Sequence, residues 1–540
     1  MGVSRTVGSE RWVVALAAAT LALAHGRPCS ALAAEGNPPQ DQAAQTRFNV
    51  HEYRVLGNTA LAVREVETVL YSQLGDNKTI ADVEAARAAL EKAYHAHGFA
   101  AVFVDIVPGQ DVSDGVVRLR ATQGRINQTT ISGARYFSES DILKALPAAA
   151  AGKVLNVPEL QRQVAAVNSQ TPDRSVQPVL RAGPTPGTVD LALKVDDRLP
   201  FHGSIELNNQ YTPDTKPLRA TVALSYNNAF AELDSLSAQY QTTPQQTGEV
   251  GVFAADYAMG PLAYGLRPSL YFIDSNSSVS TIGTLGVLGK GEITGLRLAV
   301  PLQTGAASAQ QLTLGADYKH FRQSIDLQTG GTLDTPISYL LLSAVYSGYW
   351  RGERQLGTLS LGANFGPRGI ANNDPGEFEN NRYQARANFF YLRGDAQWTW
   401  TLPLQLRLTT RLAGQWTREP LVSNEGYSIA GFDVVRGYLE AEVLGDTALK
   451  GSVQLQSPPV RVRSVNLGDA FVFFDDARAA LLQPLPEQQA TFNLRSYGAG
   501  IDLLPGHALF GTLTWAMPIV NGPRTLAHDS RYLFLVRGTF

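Results

Sequence analysis

The spacing of apolar residues changes near residue 200 of this 540-residue chain. Before that point apolar residues recur every three or four positions, as on the buried face of a helix; one such set is Val83, Ala86, Leu90 and Tyr94. From Phe201 onward apolar and polar residues alternate, first clearly at Ala220, Val222, Leu224 and Tyr226. Periods of 3.6 and 2 are typical of helices and strands. The pattern predicts an α+β region followed by a long all-β region.

Two units with the same order of predicted elements occupy residues 48–125 and 126–199. In the first, Thr79 stands three residues before Asp82 as a helix start, and Gly98 closes that helix. The order is strand, two helices, two strands. The second unit repeats this order, with helices beginning near Ser138 and Asn156, and Pro200 marks its end. Two unrelated small α+β domains would share this order, so the order alone does not identify them.

The alternation after residue 200 gives each predicted strand one apolar and one polar face. Further apolar runs are Leu236, Ala238 and Tyr240; Leu359, Leu361, Ala363 and Phe365; Leu404, Leu406, Leu408 and Leu412; and Leu449, Val453 and Leu455. A soluble β-sandwich also alternates, but the length of this region favours a transmembrane barrel. About sixteen strands fit residues 200–540. The predicted fold is therefore a transmembrane antiparallel β-barrel preceded by two α+β domains. Because the number of strands is even, the first and last residues of the barrel are predicted to lie on the periplasmic side.

Composition excludes several other classes of protein. Charged residues are 17% of the chain and the net charge is -3, with 45 Lys+Arg against 48 Asp+Glu, so no basic stripe predicts a nucleic-acid partner. Residues 1–33 are typical of an export signal, with Arg5 and Arg11 before the apolar run 13–24. A short polar segment, 34–47, follows. The only cysteine, Cys29, precedes the expected cleavage site, which excludes disulfide and Cys-metal chemistry in the mature chain.

The sequence offers no pattern typical of an enzyme, and we predict no catalytic residue, cofactor or metal. His95 and His97 are two positions apart on a predicted helix and point to different sides. The Gly-Lys-Gly at 289–291 lacks the spacing of a phosphate loop. Asp475 and Asp476 are adjacent on a predicted strand, so their carboxylates lie on opposite faces.

The two α+β units resemble the polypeptide-transport-associated (POTRA) domain in the form found in outer-membrane secretion transporters. In the first unit the matching residues are Phe48, Val50, Gly57, Asn58, the segment Tyr94 to Gly98, the segment Pro108 to Asp111, Gly115 and Gly124. In the second they are Asn168, Pro172, Val176, Pro178, Leu180, Gly183, Gly187 and Asp190. The resemblance implies a periplasmic position for both units.

Two such units before a barrel resemble the two-partner secretion transporters, the haemolysin-activator and filamentous-haemagglutinin transporter family. The local match is the loop motif Val435, Arg436, Gly437 and Tyr438, in the connection 418–444 between predicted strands eleven and twelve. The family has an F-x-D-x-G pattern on a later strand, and Phe473, Asp475 and Ala477 correspond to it here. The resemblance implies that the loop folds back into the pore. Alanine in place of the last glycine puts a close backbone approach there in question.

We predict that Arg436 contacts Asp475 inside the barrel. An inserted loop has little apolar area to hold it, and an arginine can grip a carboxylate with two parallel hydrogen bonds. Pairing of Arg436 with Asp476 stays open, because alternation does not say which face of the strand points inward.

The last strand carries a separate signal. Phe534, Val536 and Phe540 share one face with Tyr532, and the chain ends on an aromatic residue. This resembles the signal by which the barrel assembly machinery recognises outer-membrane barrels, and it implies that machinery and outer-membrane lipid as partners. In a soluble protein the same pattern would be an edge strand.

The predicted function is an outer-membrane pore that exports, and in this family can activate, a secreted exoprotein received unfolded from the periplasm. Family members often begin with a helix that plugs the pore. Only a short stretch rich in Pro and Gln separates the predicted cleavage site from Phe48, so we predict no such plug and a pore closed mainly by the loop 418–444. An insertase for other barrels and, less favoured, a passive porin are the alternatives.

Overall fold

The computed structural model describes residues 47–540 apart from positions 214, 231–232, 278, 283–284, 306, 323, 327–331, 463–464 and 505–507. The predicted export signal at 1–33, with Cys29, lies outside the described residues, as does all but the last residue of the segment 34–47. Among the described residues no helix is long and apolar enough to cross a membrane. The chain divides into two compact units, Met1–Asp197 and Arg198–Phe540.

The first unit contains two small α+β domains in succession. The first domain consists of Phe48–Val50 (β1), Glu52–Leu56 (β2), Val63–Tyr71 (α1), Gly75–Lys78 (β3), Ile80–Ala96 (α2), Val102–Ile106 (β4) and Val116–Gln123 (β5). The second consists of Arg125–Ser132 (β6), Glu139–Lys144 (α3), Val157–Ser169 (α4), Arg174–Ala182 (β7) and Thr188–Asp197 (β8). Their main sheets have the orders β2-β5-β4 and β6-β8-β7, so both domains have the same topology.

Helix α2 forms the core of the first domain for reasons visible in its sequence. Its N-terminus is closed by a capping box, in which the Thr79 N–H donates to Asp82 Oδ2 at 2.7 Å. Its apolar stripe from Val83 to Tyr94 is buried against the sheet. Gly98 ends the helix with a φ of +89°, a conformation that favours glycine.

Helix α1 is shorter than the helical spacing of Val63, Val66, Val69, Leu70 and Leu74 predicts. It ends at Tyr71, and Leu74 packs against the core from beyond the helix. Gly75, with a φ of +140°, then turns the chain into β3, which pairs with β1 in a two-stranded sheet. This extra strand separates the two helices and was not predicted.

The two domains of this unit meet at the start of α4. Asn156 caps that helix by accepting a hydrogen bond from the Glu159 N–H at 3.1 Å. Its side-chain amide also donates to the carbonyl oxygen of His97 at 3.0 Å, at the end of α2. One residue therefore closes a helix of the second domain and contacts the first.

The second unit is a β-barrel with additional short hairpins in its connections. In chain order the strands are Phe201–Asn208 (β9), Arg219–Asn227 (β10), Ser235–Thr242 (β11), Gly251–Ala258 (β12), Arg267–Ser275 (β13), Val279–Ile282 (β14), Leu285–Leu288 (β15), Gly291–Thr304 (β16), Ser308–Phe321 (β17), Ser324–Asp326 (β18), Thr332–Asp334 (β19), Ile337–Arg351 (β20), Gln355–Phe365 (β21), Phe390–Thr401 (β22), Arg407–Thr417 (β23), Tyr427–Ser428 (β24), Leu444–Gly445 (β25), Thr447–Gln456 (β26), Val460–Val462 (β27), Val465–Ala480 (β28), Thr491–Leu503 (β29), Leu509–Pro518 (β30) and Arg531–Thr539 (β31). A short helix, Pro375–Asn381 (α5), lies between β21 and β22.

In the described part of this unit sixteen antiparallel strands close the barrel, as the sequence predicts. The pairs β14–β15, β18–β19 and β24–β25 are short two-stranded ribbons that are not part of the barrel wall. Strand β27 continues β26 after a break, since both pair with β28 and Pro458 and Pro459 stand between them. We call the rim at which the chain enters and leaves the barrel the near rim, and the opposite one the far rim.

Alternation decides which side chains face outward. In β28, Val472 and Phe474 are exposed on the outside, whereas Phe471, Phe473 and Asp475 are buried on the inside. The outward apolar faces and inward polar faces fit a barrel with lipid outside. The prediction is wrong at Leu404, which lies in a near-rim turn with a φ of +60° and is 84% exposed. Pro403 occupies the start of that turn, and β23 begins only at Arg407.

Two glycines allow a matched test of the first domain. Gly57 and Gly109 both have positive φ, but a Cβ on Gly57 would lie 2.6 Å from the Ala121 carbonyl oxygen, whereas one on Gly109 has nothing within 4 Å. Gly109→Ala is expected to cost about 1 kcal/mol from backbone conformation alone, and Gly57→Ala about 1–3 kcal/mol more from the clash. Amide hydrogen exchange over residues 48–124 of the full chain measures both. Equal losses would show that the contact with Ala121 does not matter.

Candidate functional site

The connection between β23 and β26 folds back into the barrel interior from the far rim. We call residues 418–446 the inserted loop. Its two arms pair briefly as β24 and β25, and the segment between them carries the Val435 to Tyr438 motif. This segment packs against inward-facing residues of β26, β28 and β29 in a cluster that contains Ile429, Ala430, Val435, Tyr438, Val443, Ala448, Ala477, Ala479 and Leu494.

The structure brings Arg436 and Asp475 together. The Arg436 side chain donates from Nε to Asp475 Oδ2 at 2.8 Å and from Nη2 to Oδ1 at 2.9 Å, a two-point grip. The backbone N–H of Arg436 also donates to Oδ2, at 3.2 Å. Asp475 is fully buried. A buried carboxylate is tolerated where its oxygens are hydrogen-bonded, and here the loop supplies both charge and donors.

Neighbouring wall residues complete this contact. The Ser452 hydroxyl donates to Asp475 Oδ1 at 2.6 Å, and Arg436 Nη1 donates to Gln454 Oε1 at 2.8 Å. The guanidinium lies over the ring of Phe473, 3.4 Å from its centroid. Ser452 stands directly opposite Asp475 in the β26–β28 register. Two adjacent strands therefore form one receptor for a single side chain.

The other motif residues hold the loop against the next strands. Val435 is fully buried in the cluster described above. Gly437 has a φ of +97°, and a Cβ there would lie 3.1 Å from Pro518 Cδ. The Tyr438 hydroxyl lies 2.7 Å from the carbonyl oxygen of Val520 and 3.0 Å from that of Arg495. The motif therefore spans the inner wall from β26 to β30.

The acidic pattern on β28 is divided between the two faces of the wall. Asp476 points outward and pairs with Arg495 at 2.6 Å, so it does not meet Arg436. Ala477, where the family pattern has glycine, is buried beside Val435 and Tyr438, so a methyl group fits at this close approach.

A second anchor of the inserted loop, at Glu425, was not predicted. Its carboxylate is buried and accepts hydrogen bonds from Lys319 Nζ at 2.6 Å and the Tyr339 hydroxyl at 2.5 Å on one oxygen. The Tyr391 hydroxyl donates to the other oxygen at 2.7 Å. Residues from β17, β20 and β22 therefore bind one glutamate. The sequence signal for this anchor lay in its partners. Lys319, Tyr339 and Tyr391 occupy inward-facing positions on strands whose outward-facing positions are mainly apolar.

A third anchor joins three connections at the far rim. Asp446 is fully buried, and Arg382 grips it with Nη1 to Oδ1 at 2.5 Å and Nη2 to Oδ2 at 2.6 Å. The backbone N–H groups of Leu421 and Leu482 donate to the same carboxylate, at 3.0 and 2.6 Å. Arg382 belongs to the connection 366–389 and Leu482 to 481–490. We call this arrangement the Asp446 clasp.

The connection 366–389 also fills part of the barrel. Phe378 on α5 is buried, with its ring 5.5 Å from that of Tyr339, and Phe389 is stacked on Tyr391 at 6.2 Å between centroids. We call the surrounding set the aromatic plug; its members include Val252, Ile273, Ile293, Phe321, Ile337, Tyr339, Leu341, Phe378, Phe389, Tyr391, Leu421 and Val422. Apolar side chains here point inward, against the usual pattern for a water-filled barrel. They close its far end between β12 and β22.

The predicted assembly-signal residues lie at the seam where β31 meets β9. Phe534 and Val536 point outward, and five residue pairs join the strands. Phe540 exchanges two backbone hydrogen bonds with Gly203, each of 3.0 Å, and its ring covers that glycine. The Asn209 amide continues the pairing by donating to the Tyr532 carbonyl oxygen and accepting from the Phe534 N–H, both at 2.8 Å. The terminal aromatic therefore helps to close the barrel.

The remaining candidate chemistry is not brought together. His95 Nε2 lies 3.0 Å from the Val102 carbonyl oxygen, and His97 contacts Glu65 at 3.3 Å. Within the described residues no group of three or more metal-ligating side chains could hold a metal ion.

The first prediction for this site concerns the shape of the Arg436 side chain. Arg436→Lys keeps the charge but loses the two-point grip and the contact with Gln454, and we expect local opening of residues 426–442 to become easier by about 1–3 kcal/mol. Amide hydrogen exchange of the purified protein measures this. Arg418→Lys is the matched control, because that side chain only lies over Trp416 and should change opening by less than about 1 kcal/mol. Unchanged exchange in the Arg436 variant would contradict the assigned anchor.

The second prediction concerns the Asp446 clasp. Arg382→Gln leaves a buried carboxylate without its cation, and we expect about 3 kcal/mol of lost protection, spread over all three joined connections. Hydrogen exchange over 366–389, 418–446 and 481–490 tests it, together with more frequent opening in single-channel recordings. Arg386→Gln is the control, since Arg386 is exposed and lies 4.0 Å from Glu419. A loss confined to 366–389 would show that the connections are independent.

Comparison with protein families gives two matches. A model described as "POTRA domain, ShlB-type" matches residues 48–124. A model described as "Haemolysin secretion/activation protein ShlB/FhaC/HecB" matches residues 187–475, which is more than half of the chain. The second match includes the inserted loop and ends at Asp475.

Two curated relatives are named "Outer membrane transporter CdiB". The protein of Dickeya dadantii (strain 3937) is 23% identical over 364 residues, which cover 62% of this chain and 59% of the relative. The protein of Escherichia coli O6:K15:H31 (strain 536 / UPEC) is 24% identical over 506 residues, which cover 89% of this chain and 80% of the relative. The chain therefore spans less than two thirds of the Dickeya protein and four fifths of the other.

Solved structures agree on the fold. CdiB from Escherichia coli has a TM-score of 0.59 at 19% identity, covering 94% of this chain and 93% of that one. BamA from Haemophilus ducreyi lacking POTRA domains 1-3 has a TM-score of 0.57 at 13% identity, covering 91% of this chain and 100% of that one. The chain belongs to the ShlB/FhaC/HecB family of haemolysin secretion/activation proteins, and it is an outer-membrane β-barrel whose POTRA domains lie in the periplasm.

Proposed function

We propose that this protein is the outer-membrane pore through which one partner exoprotein leaves the cell by two-partner secretion. The observation that carries the proposal is the inserted loop, held by Arg436 on Asp475 in a chain that matches the secretion family over residues 187–475. The named CdiB relatives are outer-membrane transporters, which supports transport as the activity. The cargo is an unfolded exoprotein that arrives through the periplasm.

Capture of the cargo falls to the POTRA domains. Each has a three-stranded sheet, with edge strands β2 and β4 in the first domain and β6 and β7 in the second. Side chains of the helices already bond the backbone of Val104 on β4 and of Val176 on β7, and Lys153 bonds Ile126 on β6. Among the described residues β2 is therefore the edge that is most open. An extended segment can add to such an edge through backbone hydrogen bonds, which require little of its sequence. A pair of small sheets therefore suits a cargo that must be held unfolded and then released.

The inserted loop acts as the gate of the pore in this proposal. Its anchors are charge-assisted contacts, which hold one position firmly but can be exchanged for water when the loop moves. The cargo crosses in extended form, and its folding outside the cell supplies the direction. No chemical step is assigned to any residue, in keeping with a family of transporters.

The remaining partners follow from the site of assembly. Residues 1–33 direct the chain to the periplasm, and the barrel assembly machinery recognises the final strand with Phe534, Val536 and Phe540. The outward apolar faces then contact outer-membrane lipid. These assignments all depend on the outer-membrane location of the barrel. They do not depend on which cargo is exported.

The deciding experiment compares secreted and outer-membrane proteins in strains with and without this gene. We expect the loss of one large secreted protein, restored by the wild-type gene and not by Arg436→Ala, because alanine removes both the cation and the donors that hold the loop. Arg418→Ala is the control, since it alters the same loop without touching the anchor. Equal amounts of variant barrel in the outer membrane must be verified.

The other outcomes separate the alternatives. A general fall in outer-membrane barrel proteins would instead identify an insertase. No change in either fraction, with altered uptake of small solutes, would identify a passive porin. Restoration by Arg436→Ala at full level would keep the exporter but remove the loop anchor from its mechanism.

A further inference from the structure

The inner wall of the barrel differs in chemistry from one side to the other. On β10 and β11 the inward-facing residues stand in directly opposed pairs, Thr221 with Gln241, Ala223 with Gln239 and Ser225 with Ser237. Each is half-buried, in contrast to the buried inner face of β28 beneath the inserted loop. We call this surface the neutral wall. Its side chains are short hydroxyls, amides and a methyl group.

Paired charges line other parts of the interior, one example being Arg297 on β16, which donates to Asp317 on β17 at 2.8 Å. Asp395 pairs with Arg411 at 2.6 Å, and Arg407 with Asp469 at 2.6 Å. Arg411 and Lys450 both donate to the carbonyl oxygen of Asp433 in the inserted loop, at 3.4 and 3.1 Å. Together with the Arg436 contact, these residues on β22, β23, β26 and β28 form a charged wall that binds the loop.

The carboxylates that flank the neutral wall already have partners. Glu206 on β9 pairs with Arg537 of β31, with Nε to Oε2 at 2.7 Å. Asp256 on β12 accepts a hydrogen bond from the Ser237 hydroxyl. A chain passing along Thr221–Ser225 and Ser237–Gln241 therefore meets neutral groups. The cation of β10, Arg219, lies beyond them at the far rim, where it is buried and donates to the hydroxyls of Thr215 and Thr243.

The aromatic plug reduces the inner surface that a passing chain can use. Its members occupy the inner face at the far end from β12 round to β22. The described contacts of the Val435 to Tyr438 motif occupy β26 to β30, and the Glu440 N–H of the inserted loop donates to the Tyr211 carbonyl oxygen, in the β9–β10 connection at the far rim, at 3.0 Å. The inner surface of β10 and β11 lies between these two regions in the barrel order.

We propose that the neutral wall is the track along which the extended cargo crosses the barrel. This inference rests on the proposed export function and adds which surface the cargo touches. An unfolded chain presents every side-chain type in turn. Fixed charges would bind oppositely charged segments and repel segments of like charge, whereas hydroxyl and amide groups offer each segment similar, weak hydrogen bonds. The Thr221 to Gln241 bond of 3.3 Å is of this exchangeable kind.

The geometry suits an extended segment in particular. The opposed pairs follow two neighbouring strands from Thr221 to Ser235, so donors and acceptors recur at the spacing of a β-strand. Ala223 stands opposite Gln239, and its small side chain leaves room beside the Gln239 amide. A folded domain would not match this row.

The test is photo-crosslinking to a stalled cargo. The probe is the exoprotein whose release depends on this gene, fused at its C-terminus to a disulfide-stabilised domain that cannot enter the pore. A benzophenone amino acid replaces Gln239, or Ser225 as a second position on the same wall. The controls are Tyr240, the adjacent outward residue, and Thr409, an inward residue on β23 of the charged wall.

We expect at least about five-fold more cargo adduct at Gln239 and Ser225 than at Tyr240 or Thr409, because the probe reacts only with groups in contact. Release of unfused cargo by each variant shows that its barrel is intact. Equal adducts at Gln239 and Thr409 would overturn the track while leaving export standing. A gene whose loss changes no exoprotein would overturn the export function, and the track with it.

Discussion

The barrel unit depends on one constraint: a carboxylate removed from water must keep every strong hydrogen bond it had there. Glu425, Asp446 and Asp475 are all buried, and each is surrounded by cations, hydroxyls or backbone N–H groups. These three groups fix the inserted loop at its first arm, its second arm and its tip, and they act together with its buried apolar residues Ile429, Ala430, Val435, Tyr438 and Val443. Removing one partner leaves an uncompensated charge, so such contacts change between discrete arrangements instead of loosening gradually.

The interior is divided accordingly into surfaces with separate tasks. The charged wall binds the loop, the aromatic plug closes the far end beside it, and the neutral wall is left for a passing chain. The plug also changes the role expected for the loop 418–444. Closure mainly by that loop was predicted, and Phe378 and Phe389 from another connection also pack inside the same barrel. The two obstructions meet at Leu421 and Val422, which belong to the inserted loop and to the plug.

Sequence reasoning reached the fold because the signal repeats. Two-residue alternation recurs over sixteen strands. It fails at Leu404, where a proline starts a turn, and in the aromatic plug, where apolar side chains from β12 to β22 face inward. The pairing of Arg436 with Asp475 was accessible through a motif, but alternation could not choose between Asp475 and Asp476, since either face can point inward. Glu425, Arg382 and Asp446 have no periodic signal at all. They are single residues in connections, where polar side chains are expected in any case.

The Asp446 clasp has a consequence for how such transporters diversify. One carboxylate receives donors from the connections 366–389, 418–446 and 481–490, so none of the three can change its backbone course without disturbing the other two. By contrast, the β18–β19 ribbon pairs within itself. In chimaeras between family members, the three clasped connections should therefore be transplantable only as a set, whereas a self-paired ribbon can be exchanged alone.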